Sequence, residues 1–274
     1  PGVIGAVKNC MAVSANLRTL IENVAPLFAG EAEIFSTYWD APSRSNDSDK
    51  LWIQRQARKE VWDTPLGDPR GLFVGPIEDL LADFPSIDEG VPRAGILDRL
   101  EVLYEEFSHY CAFADAYDAL CAPGEQRISP SMLKEVPDWS ENQAIGARRA
   151  AIKRDHGAIG ERACFFTEGG YCTLFSEGIR LKGRGGADDL IAVACAKVYD
   201  DEFEHMRKGI LGLDTDGLVD SDWDVLTTLS VELQRLRLPM RNAQFGYPVP
   251  ASRIAEIFEG KIEPLMFDFD RAAG

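Results

Sequence analysis

Two stretches set carboxylates one helical turn before a histidine, in a sequence with only three histidines. In Tyr104-Glu105-Glu106-Phe107-Ser108-His109-Tyr110, Glu106 stands three residues before His109. In Val198-Tyr199-Asp200-Asp201-Glu202-Phe203-Glu204-His205-Met206, His205 follows Glu202 by three residues and Asp201 by four. Residues three and four apart share a helix face, so each stretch can aim oxygen and nitrogen donors at one point. Hard carboxylate oxygens combined with imidazole suit iron or manganese. Two such pairs, with a lone glutamate from a third helix, would make a carboxylate-rich di-iron site inside a helical bundle.

Spacing alone is a weak signal. Asp and Glu fill 45 of 274 positions. An acid three residues before a histidine therefore arises about one time in six, and two hits among three histidines about 7% of the time. The flanking residues say more. The first pair lies on the stripe Val102, Glu106, His109, Phe113, Ala116, and the second on Ile191, Cys195, Val198, Glu202, His205, Gly209. Apolar stripes of this period face a core, and a buried carboxylate is costly unless paired or metal-bound.

The third glutamate is expected from a helix at 161–177, on the stripe Glu161, Phe165, Glu168, Cys172, Phe175. Glu168 is the preferred ligand, bridging or terminal, with Glu161 as a second choice. Asp201 and Glu202 remain alternatives beside His205. Gly169-Gly170 within this helix lowers its propensity by about 1 kcal/mol per glycine, so a local distortion, a substrate approach or a tight helix crossing is expected there.

The elements that must position these residues read as helices throughout, so the fold class is all-α with one domain over 1–274. Helices are predicted at 12–29, capped by Ser14 or Asn16, and at 50–62, 76–84 and 94–121. A long pattern over 139–182 is broken near Gly157 or Gly160, and further helices follow at about 188–208, 220–238 and 251–259. The first pattern is not expected past Gly30, Pro239 is read as a stop, and 41–49 is read as a polar loop prone to disorder. No alternating strand or internal repeat is present.

A net charge of −16 disfavours nucleic acid and anionic membranes as partners. No apolar run approaches the roughly 20 residues of a membrane span. The six cysteines show no zinc spacing. With no secretory signal in the first residues, reduced thiols and a cytoplasmic location are expected.

In this arrangement the chain resembles the haem-oxygenase-like di-iron oxidases and oxygenases over roughly 94–210. In that family a Glu and a His one turn apart, a lone Glu on a later helix, and an acid followed by His on the next occur in this order. Glu106 with His109, Glu168, and Asp201 or Glu202 with His205 match it. The resemblance implies a haem-oxygenase-like helical bundle with two ferrous ions and dioxygen as co-substrate. It also implies oxidation of a small carboxylate-bearing substrate, an amino acid for preference, by desaturation, cyclisation, C–C cleavage or N-oxygenation in biosynthesis. An external electron donor is compatible with this, and a homodimer stays open. Where some members carry one more histidine, this chain has Val198. A ferritin-like four-helix bundle with extra helices, acting as an N-oxygenase or iron handler, is the close alternative. It needs an earlier carboxylate, for which Glu78 and the more distant Glu60 are the options. A true haem oxygenase is disfavoured, because no histidine occurs before His109. A metal-free helical interaction module is the alternative from another class.

Other residues carry weaker signals. Tyr110, Tyr171 and Tyr199 lie near the ligand positions and can pack in the core or bond a ligand or substrate. Arg241, in a basic cluster with Arg235 and Arg237, can hold a substrate carboxylate or a structural ion pair. His156 reads as surface, and Cys111 and Cys172 as packing thiols. The acidic runs at 214–217 and 220–224 lack calcium-loop spacing and read as turns and helix caps.

Overall fold

The computed structural model describes residues 13–62, 70–169 and 172–267; the side chains of Leu72, Glu168, Glu204, His205 and Lys208 are outside that set. Among the described residues every regular element is helical, as the sequence predicts. The helices are α1 (Ala15–Trp39), α2 (Asn46–Val61), α3 (Gly71–Asp83), α4 (Arg93–Leu120), α5 (Pro130–Glu135), α6 (Ser140–Gly169), α7 (Thr173–Ile179), α8 (Ala187–Leu211), α9 (Asp220–Gln244) and α10 (Ala251–Phe258). No helix among the described residues is long and apolar enough to cross a membrane.

The Ser14 hydroxyl caps α1 by accepting from the Leu17 amide at 3.0 Å. Two predicted stops are overridden. α1 runs through Pro26 and past Gly30, and α9 runs through Pro239. An interior proline costs a helix about 3 kcal/mol, which burial of Leu27, Phe28, Ile34 and Phe35 along α1 can exceed. Ile257 of α10 packs against Gly30: a Cβ there would lie 2.7 Å from Ile257 Cγ2. The 41–49 segment is ordered rather than loose. Arg44 pairs with Asp49 at 2.9 Å and with Asp188 of α8 at 2.7 Å, and Ser45 and Ser48 cap α2 reciprocally.

The break expected near Gly157 is a reversal. Gly157 adopts φ 53°, ψ −130°, a conformation open to glycine. The Cys164 thiol bonds to the Arg149 carbonyl at 3.8 Å, so the second arm of α6 folds back onto the first.

α9 lies against α1 and α6, while α4 lies against α2 and α8. One apolar cluster links these helices through Trp39, Trp52, Phe113, Phe175 and Phe245, with Trp52 stacked on Phe245 at 5.0 Å. The acidic runs serve as expected: Asp214 accepts from the Ser14 amide, and the Asp222 side chain accepts from the Val219 amide at the start of α9.

Candidate metal centre

α4 presents its apolar stripe to the interior from His109 onward, through Phe113 and Ala116. Val102 at the other end is exposed and lines a cavity. α8 buries Ile191, Cys195 and Val198 on the same side as Glu202. α2 buries Trp52, Ile53, Gln56, Ala57 and Glu60. Leu51, on the other side of the helix, is exposed. The three faces meet at His109.

His109 is 1% exposed, and neither Nδ1 nor Nε2 makes a hydrogen bond. Nδ1 faces three carboxylates: Glu60 Oε2 at 3.9 Å, Glu106 Oε2 at 3.9 Å and Glu202 Oε1 at 3.8 Å. Nε2 faces Asp201 Oδ2 at 3.4 Å, and that carboxylate also takes Lys197 at 2.6 Å. Donor atoms of Glu60, Glu106 and His109 all lie within 4.8 Å of one another. Two donors each about 2.1 Å from a shared ion are at most about 4.2 Å apart, so the Nδ1 gaps fit a cation between the groups. A buried imidazole with idle nitrogens among several carboxylates is costly on its own terms. A divalent ion between these groups would supply the partner that the His109 ring lacks.

Of the predicted ligands, the structure brings together Glu106, His109, Glu202 and Asp201, with Asp201 on the opposite ring nitrogen from the other two. The side chains of Glu168 and His205, and Tyr171 altogether, lie outside the described residues. Glu161 is exposed and joins no such cluster among the described residues, and Phe165 on the same predicted stripe is 52% exposed and lines the cavity. The second arm of α6 instead buries Ala163, Cys164, Phe166 and Thr167, because the reversal at Gly157 rotates the buried face. Glu60, a distant option by sequence, supplies the third carboxylate.

A cavity of about 700 Å³ reaches Glu60, Glu106 and Glu202, with Phe166, Phe175 and Met240 on its wall and Asn142, Gln143 and Arg149 elsewhere around it. Arg241 also borders it, yet Arg241 is 4% exposed and donates to Glu31, Gln56 and Gln244. Those bonds make it part of an internal network rather than an open carboxylate clamp. Burial, then repulsion from Arg237, brings the Arg241 guanidinium down to about 10. Burial would raise the Glu31 carboxyl, but Arg237 and Arg241 hold it below its ordinary value. Tyr110 stacks on Phe107 and Tyr199 packs against Phe203, and neither is on the cavity wall. His156 is exposed, as predicted.

Sequence reasoning passed over the Glu31 network. Its signal is a polar stripe on α9 at Ser230, Gln234, Arg237, Arg241 and Gln244, all buried, at the spacing that elsewhere carries apolar residues. Compared with known proteins, the chain matches no family model, no curated protein and no solved structure. Fold and site together define an all-α bundle with a candidate carboxylate–histidine metal centre beside a large cavity.

Proposed function

We propose that the chain is an oxygen-dependent, non-haem di-iron oxidase of the haem-oxygenase-like kind. It acts on a small carboxylate-bearing molecule by oxidising a C–H or N–H bond. The observation that carries this reading is His109, buried and hydrogen-bonded at neither nitrogen, with carboxylates from α2, α4 and α8 gathered 3.8–3.9 Å from Nδ1. In this reading Glu60, Glu106, His109 and Glu202 hold metal, and Glu168 and His205 complete the set. Asp201 stands behind the ring, where it can accept a hydrogen bond from Nε2–H and so leave the Nδ1 lone pair facing the metal position. Two ferrous ions bound there supply, with dioxygen, an oxidant able to remove a hydrogen atom from the substrate.

The remaining work falls to the cavity. Phe166, Phe175 and Met240 give the cavity apolar lining for the body of a substrate, and Asn142, Gln143 and Arg149 are among its polar lining residues. At about 700 Å³ the space exceeds what a simple amino acid fills and falls within the range of larger organic ligands. The favoured substrate is therefore a carboxylic acid with a sizeable apolar body. Elemental analysis after anaerobic ferrous reconstitution tests the reading. About two irons per chain are expected, with a transient visible absorbance on admitting oxygen that is missing in His109→Ala. A wild-type protein that takes up no iron overturns it.

A further inference from the structure

We propose that Gln56 is a positioning residue that fixes Glu60 for one-oxygen ligation, and that the buried Glu31 network on α1 and α9 holds Gln56 in place. This rests on Glu60 being a metal ligand. The two oxygens of Glu60 have separate surroundings. Oε1 accepts from Gln56 Nε2 at 2.6 Å, while Oε2 faces His109 Nδ1 at 3.9 Å. A carboxylate tied at one oxygen presents the other as a single donor.

The Gln56 amide has one sensible orientation. Its Oε1 accepts from Arg241 Nη1 at 3.1 Å and from Gln244 Nε2 at 3.0 Å. Reversing the amide would set its NH2 against a guanidinium and leave Glu60 facing an oxygen. Arg241 is itself fixed, donating to Glu31 Oε1 at 3.1 Å and to Gln244 Oε1 at 2.7 Å. Glu31, wholly buried, also accepts from Arg237 Nε at 3.0 Å and from Gln234 Nε2 at 3.0 Å. Arg237 Nη1 then donates to the Thr167 carbonyl at 3.0 Å, one residue before Glu168. A single network therefore grips the Glu60 side chain on α2 and the α6 backbone beside Glu168.

Buried ionic clusters of this kind seldom stabilise a fold more than apolar residues of equal volume would. Their placement directly behind two ligand-bearing segments fits the task of orienting ligands.

The test is an anaerobic Co(II) titration of wild type, Gln56→Met and Glu60→Gln, followed by visible absorption and calorimetry, with thermal melting of each apo protein. Gln56→Met keeps length and volume, and Arg241 Nη1 retains Gln244 as acceptor. Weakening of Co(II) binding by about 10–100-fold, with displaced ligand-field bands, is expected. Gln244→Leu removes one of the two donors to Gln56 and should displace the bands in the same sense, which keeps the test readable if Gln56→Met does not fold. Wild-type affinity and spectrum in Gln56→Met, with only the melting temperature changed, would make the residue structural and overturn the proposal. Wild-type binding by Glu60→Gln overturns it too, while leaving a metal centre without Glu60. No Co(II) uptake by wild type removes the metal reading and this proposal together.

Discussion

Glu60 Oε2 stands 3.9 Å from His109 Nδ1, which joins the last turn of α2 to the middle of α4. The two carboxylates that were second choices by sequence are separated by this relationship, since Glu161 is exposed on the first turn after the α6 reversal. Glu60→Ala should weaken ferrous binding at least about 100-fold, the upper end of what loss of an orienting partner causes. Glu161→Ala should leave it unchanged. Iron per chain after anaerobic dialysis against graded free ferrous ion checks both, and equal loss in the two variants would refute the assignment.

A cation that fills the space around His109 should stabilise the folded state by mass action. At a free concentration 100 times its dissociation constant, a ligand specific for the native state adds about 2.7 kcal/mol. For a chain of this size that raises the melting temperature by about 5–10 °C. Anaerobic calorimetry with and without ferrous ion should show the rise in wild type and none in His109→Ala.

The all-helical fold was legible because apolar periodicity is strong in α1, α8 and α9, and the paired acids and histidines of α4 and α8 stood out. The helix ends were less so. Pro26, Gly30 and Pro239 are local breakers, yet they are held helical by contacts such as Ile257 against Gly30 that a single chain segment does not reveal. On the stripe Glu161–Phe165–Glu168, Glu161 is exposed beyond the reversal at Gly157, whereas Phe165 lines the cavity against Gly209 of α8. Glu60 is hard to pick out in the sequence because α2 is rich in charge, and its place on the buried face beside Trp52, Ile53, Gln56 and Ala57 is set by the packing of the helix. The choice between Asp201 and Glu202 turns on which nitrogen of one ring each faces, a distinction that spacing does not contain.

Glu31 predicts an acid sensitivity. Arg237 and Arg241 hold its carboxyl below the ordinary value when folded, so its contribution to stability is fully present above the unfolded value near 4.5. That contribution is lost as pH falls through the lower folded value. Glu31→Gln leaves two buried guanidinium groups short of their counter-charge and should cost about 3–5 kcal/mol at neutral pH. Urea unfolding between pH 3 and 7 should therefore show a smaller loss on acidification in Glu31→Gln than in wild type. Parallel curves would remove Glu31 as the source of the dependence.

The Cys195 thiol is packed where no reagent can reach it and where the thiolate is disfavoured. It is wholly buried, and burial pushes it up to about 12. Its Sγ would lie 2.3 Å from a Cβ built on Gly178, so α7 and α8 approach closely where the sulfur meets a missing side chain. Reactive cysteines need thiolate and access, and Cys195 has neither. Native wild type and Cys195→Ser should therefore consume the same amount of a thiol-specific chromogenic reagent at pH 8, differing by one equivalent only after denaturation. Gly178→Ala should be destabilised by about 1–3 kcal/mol, the usual penalty for overpacking, and part of that loss should be recovered in Gly178→Ala with Cys195→Ala, where the sulfur has been removed. Additive effects in that double variant would show that the two positions do not share the contact.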